Sequence, residues 1–207
     1  MTDRRMDSRS NRVFINCPFD DEFKPIFDAI VFAIHDLGFE ARHALIKDGD
    51  ILRLPRIARE LAESKYSIHD LSRVEVSGEQ KLPRFNMPFE AGIAFSLSHF
   101  AAQSKPHHLL LLDSESYRYL ATLSDAAGLD PKIHDAKPEK AIESVRNFLS
   151  EKTKTPMLPG GEHVQKRYGL FLARLPDAAA VNRLSMKELQ SWSYVNDLQA
   201  LMSSWIL

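Results

Sequence analysis

The chain has 207 residues, a formal net charge of -1, 44% hydrophobic residues and 27% charged residues, so it can bury a core but has no basic excess for nucleic acid. Its longest apolar run, residues 26–37, is interrupted by charges and is shorter than the roughly 20 residues of a membrane-spanning helix. The first ten residues are largely polar, there is one cysteine, and the eight histidines lack metal-ligand spacing. These features predict a cytoplasmic protein with no metal, membrane or nucleic-acid partner.

Apolar runs and helical spacing alternate through the first half of the chain. A strand is predicted at residues 13–15, because Pro18 ends the apolar run. Asp20 and Asp21 supply capping groups for a helix that ends at Gly38. There follow a strand over 39–45, a turn at Asp48-Gly49-Asp50, a helix with Leu54, Ile57, Ala58 and Leu61 on one face, and a strand over 66–71.

The second half continues the alternation after a polar loop over residues 73–85. A helix predicted over 88–102 is apolar nearly all round, which predicts burial. The unbroken apolar run Leu109–Leu112 is typical of a strand covered on both faces. There follow a short helix over 117–123, a weak strand over 132–134, a helix over 138–149, a linker over 155–161, a helix that buries Tyr168, Phe171 and Leu172, and a final helix near 192–205.

This order predicts an α/β fold, a doubly wound parallel sheet of about five strands with a C-terminal helical extension. The predicted organisation is a flexible N-terminus over 1–11, an α/β domain over 12–152, a linker over 153–161, and a helical extension over 162–207 packed on the first domain.

Two segments combine apolar runs with acids at the edge where α/β sheets bind ligands. Ile68-His69-Asp70-Leu71-Ser72 puts Asp70 and Ser72 at the carboxyl end of a strand, and Asn86-Met87-Pro88-Phe89-Glu90 opens the next helix. A carboxylate there can attack or stabilise an anomeric carbon, as in glycosidases. A glutamate in the first helical turn is equally typical of a capping box, and the pattern leaves both interpretations open.

Together the two segments resemble the D-L-S/T … N-V-x-Y-E-x-G-x-A signature of the nucleoside 2-deoxyribosyltransferase-like and TIR-like proteins, with Glu90 at the glutamate of that signature. Residues 13–20 are similar to the opening strand of that superfamily and its Pro-Phe loop, and Arg42 falls where many members have a basic residue. The resemblance covers roughly residues 12–115. The chain departs from the family in its longer 73–85 loop, in lacking the Trp-Cys pair of animal TIR domains, and in lacking an Asp-x-Gly-Thr segment before Glu90.

The resemblance implies a flavodoxin-like sheet that binds a nucleoside or nicotinamide dinucleotide as substrate, with no further cofactor. It implies that Glu90 is the catalytic residue at ribose C1′, and that Asp70 is a second catalytic residue, which binds ribose hydroxyls or positions Glu90. The ligand-binding residues expected with them are Asn16, Pro18, Phe19, Arg42, Ser72 and Asn86.

Several of these residues have an ordinary structural alternative. Asp70 can cap the loop after its strand, Phe19 can fill a core instead of stacking on a base, and Arg42 can form a surface ion pair instead of holding a phosphate. His69 can titrate near neutral pH, although a satisfied histidine between sheet and helix is favoured. Cys17 is expected to be a small buried residue.

The predicted function is hydrolysis of an N-glycosidic bond, with NAD as substrate and nicotinamide as the released base. By analogy with TIR-like proteins, the chain is expected to form a homo-oligomer and to act as an effector in bacterial defence or signalling. Two alternatives remain open: a non-catalytic module for nucleotide binding or self-assembly, and a nucleoside 2-deoxyribosyltransferase, which needs a second acid to move protons to the leaving base.

Overall fold

The computed structural model describes residues 9–45, 53–73, 76–77, 82–83, 85–102, 105–121, 129–153 and 157–207. Its central feature is a five-stranded sheet built from β1 (Arg12–Asn16), β2 (Glu40–His43), β3 (Tyr66–Asp70), β6 (His108–Asp113) and β7 (Lys132–Ile133), in the order β2-β1-β3-β6-β7. The strands are parallel. Strands β2 and β3 lie on either side of β1, and the sheet continues from β3 to β6 and then to β7. This order is flavodoxin-like, and it confirms the predicted fold class.

Seven α-helices are described: α1 (Lys24–Asp36), α2 (Arg53–Ala62), α3 (Asn86–Phe100), α4 (Pro138–Thr153), α5 (Gly161–Val181), α6 (Met186–Leu189) and α7 (Val195–Ile206). Two short antiparallel strands, β4 (Val76–Ser77) and β5 (Leu82–Pro83), lie in the segment predicted as an unstructured polar loop. The short helix predicted over 117–123 is a 3-10 turn at Arg118–Ala121. The predicted turn at 48–50, residues 122–123 and 155–156, and most of the predicted flexible N-terminus lie outside the described residues.

The chain forms two compact units, one comprising residues 1–18 and 39–132, the other comprising 19–38 and 133–207. In the first unit, Phe14 of β1 packs with Ile57 and Leu61 of α2 and with Ala94 of α3. The predicted apolar face of α2 is only partly buried, since Leu54 and Ala58 are exposed. Glu60 is buried on the same helix as Ile57 and Leu61. Its charge is neutralised by an ion pair with Arg42 of β2.

The second unit is helical and is built around α1, which contacts α4, α5 and α7. Phe32 of α1 lies 5.2 Å from Tyr168, 5.5 Å from Phe171 and 5.8 Å from Trp205, measured between ring centroids. These contacts bury Tyr168 and Phe171 as the helical spacing predicts, whereas Leu172 is exposed. The predicted end of α1 is also as expected, because Gly38 follows the helix with a φ of 84°, a conformation that glycine adopts without strain.

Helix α3 differs from its prediction in both position and burial. It begins at Asn86, two residues before the predicted start, and it buries Met87, Glu90, Ala91 and Ala94. Phe89 and Phe100 are 59% and 82% exposed, so the expectation of burial all round the helix is wrong. The helix thus buries one face, and Phe89 and Phe100 project from the opposite, exposed side.

Candidate functional site

The carboxyl ends of three neighbouring strands bring polar side chains to one edge of the sheet. Strand β1 ends at Asn16, β3 at Asp70 and β6 at Asp113. Asn16 is paired in register with His69, and Asp70 with Leu112. Since the three strands are parallel and adjacent, their last residues share the edge at which α/β proteins hold ligands.

Alternation of side chains along the strands separates these residues by face. Asn16 and His69 are register partners and lie on the face where Phe14 packs against α2 and α3. Asp70 follows His69 directly, so its side chain leaves the strand on the opposite face. The structure therefore brings Asn16 and His69 to the α3 side, and it does not place Asp70 there.

Glu90 reaches this edge from α3 and is not a helix cap. The residue that caps the helix is Phe85, which makes no side-chain capping hydrogen bond, and Glu90 is the fifth residue of the helix. In a capping box the glutamate is the third residue and bonds back to the cap. The capping-box alternative for Glu90 is therefore wrong, because the helix begins earlier than the sequence pattern predicted.

The Glu90 carboxylate is almost fully buried, with 4% of the residue exposed. Its Oε1 lies 3.7 Å from Nε of Arg53, the first residue of α2, and its Oε2 is buried with no hydrogen-bond partner in the structure. Burial raises the pKa of Glu90, and the positive charge of Arg53 and a hydrogen bond from the Asn16 side chain partly oppose that rise. One carboxylate oxygen is thus left unsatisfied by the described residues.

Asn16 and His69 form a buried polar pair beside Glu90. Nδ2 of Asn16 lies 3.2 Å from Nδ1 of His69. Burial, with a smaller effect from His107, lowers the pKa of His69 to about 3, so its imidazole is neutral at neutral pH. The favoured interpretation, a histidine buried between sheet and helix, therefore fits the position of His69, and the alternative of titration near neutral pH does not. Asn16 Oδ1 and His69 Nε2 are also buried without a hydrogen-bond partner among the described residues, so Glu90, Asn16 and His69 each carry one unpartnered buried atom.

Asp70 adopts the loop-capping role that the sequence left as its alternative. Its Oδ1 accepts a hydrogen bond of 2.8 Å from the backbone N–H of Ser72, and both residues are buried. An aspartate that bonds the backbone two residues on is a common device for turning the chain after a strand. Ser72 likewise lies in this turn.

The remaining expected ligand-binding residues are distributed among other contacts. Arg42 forms a bidentate ion pair with Glu60, with distances of 3.0 and 3.1 Å. Phe19 belongs to the second compact unit, where its ring packs edge-to-face on Phe27 and Trp192. Pro18 is buried, and Asn86 is an exposed residue at the start of α3. Arg42 thus follows the ion-pair alternative that its sequence position left open, and Phe19 follows the core-packing alternative.

Two residues of this edge were not predicted. Arg53 faces Glu90 and was not singled out, although its position at the start of a predicted helix is a usable signal. Asp113 ends β6, is fully buried, and accepts hydrogen bonds from the Arg118 side chain and the Ser114 backbone. An acid directly after an apolar strand marked Asp70 and could have marked Asp113 by the same logic.

No protein-family model, curated protein or solved structure matches the chain. Among the described residues, no group of three or more His, Cys, Asp or Glu side chains is arranged to hold a metal ion. Within the same residues, none of the helices has the length and apolar character needed to cross a membrane.

Proposed function

We propose that the protein is a TIR-like enzyme that binds a nucleotide and hydrolyses an N-glycosidic bond, with NAD as substrate and nicotinamide as the released base. The main support is Glu90, a buried carboxylate at the edge of the sheet where α/β proteins hold ligands, with one oxygen that none of the described residues bonds. Burying a charge without full pairing is costly, and such groups are concentrated at functional sites.

Each residue at the edge has a defined part in this chemistry. The bond between ribose C1′ and the nicotinamide nitrogen breaks, and its electron pair stays on that nitrogen, which loses its positive charge. Positive charge then develops on C1′ and the ring oxygen, where the Glu90 carboxylate stabilises it or attacks C1′. Water completes the reaction at C1′ and releases a proton to solvent. Asp70 supports the site by fixing the turn at Ser72.

The test is a comparison of substrates with the purified protein. NAD, ribonucleosides, and 2′-deoxyribonucleosides with an acceptor base are each incubated over a range of protein concentrations, and released bases are separated by chromatography. We expect nicotinamide and ADP-ribose from NAD. Transfer of deoxyribose to the acceptor base would instead identify a deoxyribosyltransferase. No base release from any substrate, at protein concentrations where light scattering detects self-association, would overturn the proposal.

A second candidate is a self-assembly module, and the exposed aromatic residues of α3 favour it. Phe85, Phe89 and Phe100 are all exposed, and large exposed apolar side chains in one region are typical of contact surfaces. The proposed occupant is a second copy of the chain, through which assembly would control the Glu90 site. In this case Phe89→Ser lowers the mass measured by light scattering. A Phe89→Ser variant with the same mass as the unmodified chain would contradict it.

A further inference from the structure

The segment that follows β6 is held by hydrogen bonds at the carboxyl edge of the sheet. Asp113, the last residue of the strand, is fully buried. Its Oδ1 accepts hydrogen bonds from the backbone N–H groups of Ser114 and Glu115, at 2.7 and 3.4 Å, and from the Arg118 side chain. One carboxylate therefore fastens residues 114–118 to the end of the strand.

The far end of this segment packs against helix α3. Tyr119 is buried and lies in one apolar cluster with Met87 and Ala91 of the helix. These two residues are three positions before Glu90 and one position after it, and all three are buried. Residues 114–119 therefore lie beside the turn of α3 that carries the Glu90 carboxylate.

Between these two attachments, Tyr117 combines an unusual backbone with an exposed ring. Its φ is 62°, in the left-handed region that residues other than glycine enter at an energetic cost. Little packing offsets that cost, because 75% of the residue is exposed. Residues held in such conformations are concentrated at ligand sites. The strain and the exposure together indicate a ring that is kept for a contact outside the folded chain.

The ring of Tyr117 lies within reach of a small molecule bound at Glu90. Two residues of chain span at most about 7 Å, so the Cα atom of Tyr117 lies within that distance of the Cα atom of Tyr119. Tyr119 packs on α3 within one helical turn of Glu90. The segment also leaves the sheet where β3 and β6 end side by side, with Asp70 paired to Leu112. This is the edge at which α/β sheets hold ligands.

We propose that Tyr117 is the binding residue on which the aromatic base of the substrate stacks, the base being the one attached to the reacting ribose C1′. This inference rests on the proposed function, in which Glu90 acts at that C1′. Stacking on a tyrosine ring needs only the π face that a base presents, without a particular hydrogen bond. In NAD this base is a cationic nicotinamide, which the electron-rich face of the tyrosine ring attracts further.

The binding test compares NAD with ADP-ribose, which is the same molecule without the nicotinamide. Both affinities are measured in Glu90→Gln, so that NAD is not consumed. We expect an added Tyr117→Asn to weaken NAD binding about tenfold, and to change ADP-ribose binding by less than about twofold. Tyr117→Phe keeps the ring and therefore the affinity for NAD. Ser116→Ala changes the exposed neighbour in the same segment and is the matched control, with both affinities unchanged.

A second measurement separates this role from a structural one. Asparagine adopts a left-handed φ more readily than tyrosine, and the Tyr117 ring is largely exposed. We therefore expect Tyr117→Asn to unfold at the same urea concentration as the unmodified protein or at a higher one. A clearly lower urea midpoint would show that the ring serves the fold, and would contradict the inference.

The binding results also separate this inference from the proposed function. If Tyr117→Asn leaves NAD binding unchanged, or weakens NAD and ADP-ribose equally, the base does not stack on Tyr117 and the inference is overturned. If NAD binding depends on the ring but the unmodified protein releases no nicotinamide, the proposed hydrolysis fails and the stacking stands.

Discussion

Two buried glutamates of the first unit show how pairing decides what a carboxylate can do. Glu60 is held by both arms of the Arg42 guanidinium, at 3.0 and 3.1 Å. Glu90 has a single arginine at 3.7 Å and one oxygen without a partner. A bidentate pair gives both carboxylate oxygens of Glu60 a hydrogen-bond donor. The Glu90 carboxylate has one oxygen without a donor, which a ligand could supply.

The Arg42 pair gives a prediction at the scale of one residue. Arg42→Met leaves Glu60 buried without its counter-charge, and we expect the free energy of unfolding to fall by about 2 kcal/mol. Arg12→Met is the matched control, because Arg12 pairs with Glu40, whose side chain is partly exposed, and such pairs contribute about 0.5 kcal/mol. Urea unfolding measures both. If Arg42→Met unfolds like Arg12→Met, the account of the Arg42–Glu60 pair is contradicted. If it also abolishes base release, Arg42 serves the ligand instead.

Some of the site could be predicted from individual residues. Glu90 was predicted because an acid beside an apolar helix follows a strand that ends in Asp70, and its position at the sheet edge follows from the order of elements. The contact of Glu90 with Arg53 and that of Asn16 with His69 were not predicted, because which face of a helix or strand meets a neighbour depends on packing. The face of Asp70 was missed for the same reason, since a shift of one residue along a strand reverses it.

At the scale of elements, burial along one face was predictable and the orientation of all-apolar segments was not. Helix α1 shows apolar residues at helical spacing, and these are buried, although the helix also buries residues outside that stripe, among them Lys24, Val31 and Phe32. Helix α3 has apolar residues on every side, so its sequence does not indicate which side faces the sheet. Met87, Glu90, Ala91 and Ala94 are buried while Phe89 and Phe100 are exposed, and only the three-dimensional contacts decide this.

Helix α1 also carries a buried ion pair that tests its packing. Nζ of Lys24 lies 2.6 and 2.8 Å from the two carboxylate oxygens of Asp28, and burial raises the pKa of Asp28 to about 6 despite the lysine. Lys24→Met leaves the Asp28 carboxylate buried without its counter-charge. We expect the free energy of unfolding, measured in urea, to fall by about 3 kcal/mol. The double variant Lys24→Met/Asp28→Leu recovers most of that loss. A double variant as unstable as the single one would contradict this account.

At the scale of the whole molecule, buried neutral histidines make stability depend on pH. Burial lowers the pKa of His69 to about 3 and that of His107 to about 4, from about 6.5 in the unfolded chain. Below pH 6.5 these two histidines therefore bind more protons in the unfolded chain than in the folded one, and their contribution to stability falls as the pH falls. Each histidine contributes about 1.4 kcal/mol per pH unit to this loss.

The predicted pH dependence is tested by comparing His107→Gln with the unmodified protein. Between pH 6.5 and 5, His107→Gln loses less stability than the unmodified protein, by about 2 kcal/mol, because one of the two histidines no longer titrates. Asp28, with its raised pKa of about 6, acts in the opposite direction below pH 6 in both proteins and cancels in the comparison. Denaturant midpoints measured across this range check the prediction. If the stability of His107→Gln and that of the unmodified protein fall equally with pH, His107 is not held neutral.

The most direct test of the central claim is the rate of nicotinamide release from NAD by the unmodified protein and by Glu90→Gln, with NAD affinity measured on the same samples. Glutamine keeps the shape and removes the charge, so we expect kcat to fall at least about a hundredfold. We expect NAD affinity to change little, and the free energy of unfolding at pH 7 to be no lower than that of the unmodified protein, since burial disfavours the charge that is removed. Base release that continues unchanged in Glu90→Gln would contradict the account, because other residues would then carry the reaction.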